Sequence, residues 1–422
     1  MRTENGSRKK AGSSFSLFDF PRYQALARAL LGGIGKTAMV LPASFLVALG
    51  LGMTSLGMIF YLRDSFHASA AVIGSLYATW NICYFSGCIF LRPLSRLLLP
   101  RYSMLIASAV MGLAMFSLIR IGTLASSFAF YGIYGLATAF FFPPLMSWIS
   151  AGIEGRELNK VMGRFNFSWS AGGIVSPYIA GFLVHKNPAY PIYGSMSLLF
   201  MASFIILTAS LFITRIKNDA HIEKKAGTAE GEIIKGTILR FPSWGGIFFC
   251  YLAAGMLTSI FPLHARDNLK ISEITVGLLF TVRACAMAGG FILMSRTEKW
   301  HFNRTFLLLS QVMVLVFLVA IMFTSRVSLL FLLMVMWGVI TSANYSAALF
   351  HGAAGATERL KRMALHEAIL TAGSMAGSLI GGAVFQRFSM QTAFGTAAVL
   401  QCALIIFSAV FMAVKKHEKP AV

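Results

Sequence analysis

Apolar residues fall in long blocks along this chain, several of them without a single charge. VLPASFLVALGLGMTSLGMIFYL (40–62), LLFMASFIILTASLFIT (198–214), FLLLSQVMVLVFLVAIMF (306–323) and AVLQCALIIFSAVFMAV (398–414) are the clearest. At 1.5 Å per residue, about 20 such residues cross the hydrocarbon of a bilayer. The pattern predicts twelve spans, at 38–62, 70–91, 102–122, 127–149, 160–184, 190–214, 243–265, 272–295, 304–324, 327–350, 362–386 and 390–414. An all-α polytopic membrane protein follows.

Composition supports this. The 422 residues are 57% hydrophobic and 12% charged, with a mean hydropathy of +0.72, too little charge to cover a soluble surface. Charge position then orients the chain. Of 36 Lys and Arg, only Arg63, Arg120, Lys186, Arg266, Lys270, Arg326 and Arg387 fall at the outer ends of spans if both termini are inside, and Arg283 lies within one. All the others sit on the side of the termini, as the positive-inside rule requires of cytosolic segments. A bacterial inner membrane with both termini cytosolic is the expected setting. The net charge of +21 is thereby assigned to contact with anionic lipid and not to nucleic acid, for which no basic and aromatic constellation exists. Cys83, Cys88, Cys250, Cys285 and Cys402 all fall inside spans without metal-ligand spacing, so packing roles are expected, with no disulfide, metal or cofactor. Residues 1–37 form a basic segment without a cleavable signal. Tyr23, Leu26, Ala27, Leu30 and Leu31 share one helical face, which suits either a helix lying on the membrane or a cytosolic extension of the first span.

The chain repeats itself. GMTSLGMIFYLRD (52–64) aligns with GMLTSIFPLHARD (255–267), so that Arg63-Asp64 lands on Arg266-Asp267. In the same register Gly74 lands on Gly277, Gly87 on Gly290 and Gly135 on Gly338, and SAGGIVSPYIAG (170–181) aligns with TAGSMAGSLIGG (371–382). The expected organisation is a six-helix bundle over 38–214, a cytosolic linker over 215–242, a second bundle over 243–414 and a tail over 415–422, the bundles being parallel repeats about a pseudo-two-fold axis.

With this organisation the sequence resembles the major facilitator superfamily, from about Ala38 to Val414. That family's span 5 antiporter motif is represented by Gly163, Gly172, Ser176, Pro177, Ala180 and Gly181. Its loop 2–3 motif survives as Gly87, Arg92 and Arg96, with Leu91 where the family has Asp, and GIYG (132–135) replaces the span 4 Arg and Gln. The resemblance implies that spans 3, 6, 9 and 12 face lipid while the others line a central cavity.

The polar residues within spans are the candidates for chemistry, because ionisable groups at membrane depth face a wet cavity or one another. They are Asn81, Asn166, Arg283, Asn344, His366 and Glu367, with Arg164 close enough to an inner end to reach the interface. Arg283 and Glu367 suggest a charge pair that substrate or a proton breaks. The guanidinium keeps its proton and its fork suits a carboxylate or phosphate, whereas a carboxyl can carry a proton. In the first repeat Trp80 stands at the position of Arg283 and Asn166 at that of Glu367, so packing alone does not require charge there. Trp80, Asn166, Asn344 and Tyr345 complete the expected substrate-binding set, with Trp169 a weaker stacking candidate. His366 is expected to point away from Glu367. Gly163, Gly172, Pro177, Gly181, Gly373 and Gly377 read as helix-packing and hinge positions. The paired Arg-Asp dipeptides read first as interfacial anchors and second as gates.

No nucleotide-binding loop and no cluster of catalytic side chains is present, so enzyme chemistry is not expected. The expected function is secondary active transport of a small organic solute by alternating access, by a monomer. Proton-coupled efflux of amphiphiles by antiport is the first form. Organic-anion uptake or exchange through Arg283 is the alternative, and a non-transporting sensor on the same scaffold comes last.

Overall fold

The computed structural model describes residues 37–91, 94, 97–150, 155–212, 237–353 and 359–414. Among them are twelve helices: α1 (Thr37–Phe66), α2 (Ala70–Phe90), α3 (Pro100–Ile121), α4 (Leu124–Ser150), α5 (Gly155–Lys186), α6 (Tyr190–Phe212), α7 (Arg240–Asp267), α8 (Glu273–Ser295), α9 (Arg304–Met322), α10 (Val327–Ala353), α11 (Arg359–Arg387) and α12 (Met390–Val414). Each expected span coincides with one helix to within a few residues. In lipid no water satisfies the backbone, and a helix satisfies its own. Eleven of these helices carry a stretch long and apolar enough to cross a membrane. The twelfth, α2, is diluted by Ser75, Tyr77, Trp80, Asn81 and Tyr84. The N-terminal surface helix, Arg92 and Arg96, most of the linker and the tail lie outside the described residues.

Helices α1–α6 pack together, as do α7–α12, and the two groups meet through α2 against α11 and α5 against α8. Helices α3, α6, α9 and α12 make no extensive contact with the opposite half and expose Leu113, Phe204, Val316 and Ile406 on their outer surfaces.

The repeat extends to single hydrogen bonds. In the α1–α2 turn His67 is left-handed (φ 50°), Ala68 N–H donates to Leu62 O, and the Ser69 hydroxyl caps α2 at Val72 N. In the α7–α8 turn Lys270 is left-handed (φ 57°), Ile271 N–H donates to Ala265 O, and Ser272 caps α8 at Thr275 N. Both serines accept from the exposed amides of a first helical turn. The identical turns place α2 and α8 in equivalent registers, so equivalent side chains face the pseudo-axis.

The halves are sealed at the end remote from the linker. Gly74 of α2 lies against the backbone of Ser378 and Gly382 in α11, and its repeat mate Gly277 of α8 lies against Pro177 and Gly181 in α5. A Cβ at any of these glycines would overlap a neighbouring backbone, so only glycine permits this approach. Gly172 is pressed in the same way against Phe45 and Leu49 of α1, and Gly373 and Gly377 against Phe248 and Leu252 of α7. The surroundings of Gly163 lie outside the description. Pro177 removes one N–H from the middle of α5, beside the α8 contact. Thr281 Oγ1 donates to Ile174 O across the same seam at 3.0 Å.

Beyond the glycines, the Arg-Asp dipeptides exchange partners. Arg63 Nη2 is 2.9 Å from Asp267 Oδ2, and Arg266 grips Asp64 with both Nη atoms at 2.7 and 2.8 Å. A two-fold relation makes such contacts reciprocal: if 63 meets 267, then 266 meets 64. These residues, read first as interfacial anchors and second as gates, meet across the seam. They bond one half to the other.

Candidate functional site

Below this seal, toward the linker end, the inner face of α5 becomes exposed. On α5 the face that continues from buried Ala180 and Val184 carries exposed Asn166 and Trp169. On α8 one face carries Phe280, Arg283 and Met287, while Leu278, Cys285 and Ile292 are exposed on the opposite, outer face. Arg283 therefore lies on the α8 face turned away from the outer surface.

Among the described residues Arg283 has no counter-charge. Its guanidinium carbon lies 5.2 Å from the centre of the Phe280 ring, and its Nε is buried without a hydrogen-bond partner. No described carboxylate forms an ion pair with it. Tyr251 of α7, a residue the sequence pattern does not single out, lies within electrostatic reach of Arg283, Tyr345 and Glu367. Glu367 on α11 is exposed to the cavity, and its Oε1 accepts from the Tyr345 hydroxyl at 3.5 Å. The direct Arg283–Glu367 pair is thus not formed in this conformation: the arginine rests on an aromatic ring and the carboxylate on a tyrosine. His366 diverges from Glu367 as expected. It is fully buried, edge-on to the Tyr345 ring at 5.1 Å, with neither ring nitrogen hydrogen-bonded.

Aromatic rings form the rest of the lining. Trp80 stacks on Tyr84 at 5.2 Å with 3° between planes, and Phe291 meets Tyr345 at 5.6 Å. The Trp80 Nε1 is a second buried donor without a partner, at the repeat position of Arg283. Tyr84 lies within electrostatic reach of Glu367 and Tyr345, across the seam between the halves. Its spacing of four from Trp80 puts it on the same helical face, a signal present in the sequence.

Asn344 departs from expectation. It is 2% exposed, and its Nδ2 donates to Ile340 O at 3.0 Å and Ser310 O at 3.4 Å. Beside it Gln311 Nε2 donates to Pro242 O at 3.0 Å, and Gln401 Nε2 to Gln311 O at 2.7 Å. These amides tie α7, α9, α10 and α12 together inside the second half. Asn344 is therefore withdrawn from the substrate-binding set. Arg283, Glu367 and Tyr345 converge on Tyr251, Trp80 stacks on Tyr84, and Asn166 is exposed on α5.

Residues 40–242 and 243–422 both match the family model described as Major Facilitator Superfamily. Among solved structures, the nucleoside transporter NupG aligns with 89% of this chain and 98% of its own, at 13% identity and a TM-score of 0.71. A bacterial homolog to the human lysosomal transporter Spinster, inward-facing and unoccupied, aligns with 96% of this chain and 99% of its own, at 12% identity and a TM-score of 0.64. At such identities the likeness is one of fold. No match to a curated protein was found.

Proposed function

Because the chain belongs to the major facilitator superfamily, a family of transporters and not of enzymes, we propose that it moves a small organic anion by alternating access through the cavity at Arg283. One observation carries this reading: a guanidinium near the middle of α8, on the face turned away from the outer surface, with no described carboxylate to neutralise it. An arginine at the centre of a span raises the insertion cost by roughly 2.5–3.5 kcal/mol. Its planar fork binds carboxylate or phosphate in two parallel hydrogen bonds. The Trp80–Tyr84 stack and the Tyr345 and Phe291 rings would hold a flat apolar body against the wall. A nucleoside, the solute of one structural neighbour, would suit these rings but leave the guanidinium unused. Among the expected alternatives the geometry therefore favours the organic anion over the general amphiphile.

Glu367 supplies the coupling in this reading. Its carboxylate stands in the same cavity, where an anionic substrate and an ionised Glu367 repel each other. Protonation of Glu367 would then accompany substrate binding, and the pair would cross as a neutral unit. Glu367→Gln mimics the protonated form. It is expected to fold normally, to bind the anion as well as wild type does, and to exchange it across proteoliposomes with a flattened pH profile and no uphill accumulation. Wild-type rate and pH dependence in Glu367→Gln would remove the carboxylate from the cycle.

The linker and both termini belong on the cytosolic side, so the described conformation faces inward. Cysteines placed at Asn218 and Gly227 in a background without native cysteines are expected to stay unlabelled by an impermeant maleimide on intact cells. Labelling before permeabilisation would reverse the orientation.

A further inference from the structure

A second crevice lies apart from the central cavity. It is a groove of about 710 Å³ between α1 and α5, lined by Leu41, Pro42, Phe45, Phe167 and Ala171 with Arg164 and Ser168. It opens outward. The α5 face that bears Arg164 and Ala171 continues through Val175, Tyr178 and Phe182, all exposed even where the halves are sealed, whereas the cavity face bears Asn166 and Trp169. A face exposed along the whole span, away from the seam, meets lipid.

Among its described lining residues the groove divides into an apolar floor and one cation. Ser168 Oγ is occupied by Leu41 O at 2.6 Å and by Ser44 Oγ at 3.0 Å, so the floor offers no free polar group. Arg164 is exposed at the linker-side rim, and no described carboxylate pairs with it. Its depth is set by the helix. The 23-residue stretch Arg164–Lys186 separates its two ends by roughly 33 Å, close to the ~30 Å of a hydrocarbon core. Arg164 and Lys186 thus mark the two headgroup layers, and Arg164 lies at phosphate level. The position does not require charge: its repeat mate on α11 is Leu365, also exposed, at 45%.

We propose that this groove binds one anionic glycerophospholipid of the linker-side leaflet, its phosphate on Arg164 and an acyl chain along the floor. Apolar grooves at this depth fill with acyl chain, and a basic residue at their rim selects for anionic headgroups. The site is separate from the transport cavity, so its fate is independent of the substrate reading.

Native mass spectrometry of the delipidated full chain tests it, with phosphatidylglycerol, phosphatidylcholine and inorganic phosphate as probes. Wild type is expected to hold one phosphatidylglycerol roughly five-fold more tightly than phosphatidylcholine, the increment of one arginine near the surface. Arg164→Gln should reduce that preference to near unity, Arg164→Lys should keep most of it, and Ala171→Trp should fill the groove and expel both lipids. The Lys variant separates charge from folding. An unchanged preference in Arg164→Gln would overturn the proposal, as would equal affinity for both lipids in wild type. Displacement of phosphatidylglycerol by millimolar inorganic phosphate would also overturn it, by making the free ion the ligand.

Discussion

Arg283→Ala is expected to abolish selective binding of organic anions while leaving the protein at least as well inserted and as thermally stable as wild type. The two halves of that expectation have different origins. Removing a mid-span guanidinium relieves an unfavourable insertion term of roughly 2.5–3.5 kcal/mol. The substitution breaks no described ion pair and removes the guanidinium from the face of the Phe280 ring. Binding, in contrast, loses a charge-assisted fork worth about 1.5–3 kcal/mol, roughly ten- to a hundred-fold in affinity. Arg283→Lys keeps the charge without the planar fork and should fall between the two. The measurement is a thermal-shift screen of purified wild type against organic anions and their neutral isosteres, followed by titration of the best anion into the three proteins. A structural strut would behave oppositely: Ala would lower the melting temperature, and anion preference would persist. Equal affinity in all three forms would take Arg283 out of the site.

The course of the chain through the membrane is legible in the sequence because hydrophobic length and the Lys/Arg distribution report depth, and both vary steeply along it. Rotation about each helix axis is much less legible. These helices are apolar nearly all round, so no polar face distinguishes the cavity from a neighbouring helix. Asn344 shows the consequence. A strong polar group inside a span reads as lining the cavity, but in the structure backbone carbonyls of α9 and α10 satisfy it within the bundle. Gln311 and Gln401 carry the missing signal, since an amide on a lipid-facing helix must point inward to partners. Arg283 and Glu367 both lie near Tyr251, and charge, unlike an amide, is seldom satisfied by a few carbonyls. Their expected mutual bond is absent for a reason the sequence does not contain. Separation across the cavity depends on which end is sealed, and that state belongs to the pair of bundles, not to any one helix.

The charge exchange at the sealed end leads to the second large effect, a shift in that conformational balance. Arg266 is its centre. It holds Asp64 bidentately, reaches Asp267 at 3.2 Å and Glu273 at 3.9 Å, and lies over the Phe60 ring at 4.7 Å. It is 16% exposed, against 41% for Arg63, so its bonds are less screened than those of its repeat mate. Exposed ion pairs contribute about 0–1 kcal/mol, and charge-assisted bonds in drier sites about 1.5–3. Because Asp64 is 37% exposed, the lower end of the second range applies. Loss of about 1.5 kcal/mol changes a two-state ratio by roughly ten-fold. Arg266→Ala is therefore expected to raise the population open at this end about ten-fold and Arg63→Ala distinctly less. Arg266→Ala combined with Asp64→Asn should add little to either single change, because each removes the same bond. Spin labels at Ile121 and Ser325, both exposed at the sealed end on opposite halves, report the change as a longer distance component once the five native cysteines are replaced. Full additivity of Arg266→Ala and Asp64→Asn, or an unmoved distance distribution in Arg266→Ala, would mean that the glycine contacts of α2 with α11 and α5 with α8 hold the seal alone. In that case the exchanged pairs would be surface ornament on a closure set by backbone packing, and Gly74→Leu or Gly277→Leu would be the substitutions that open it.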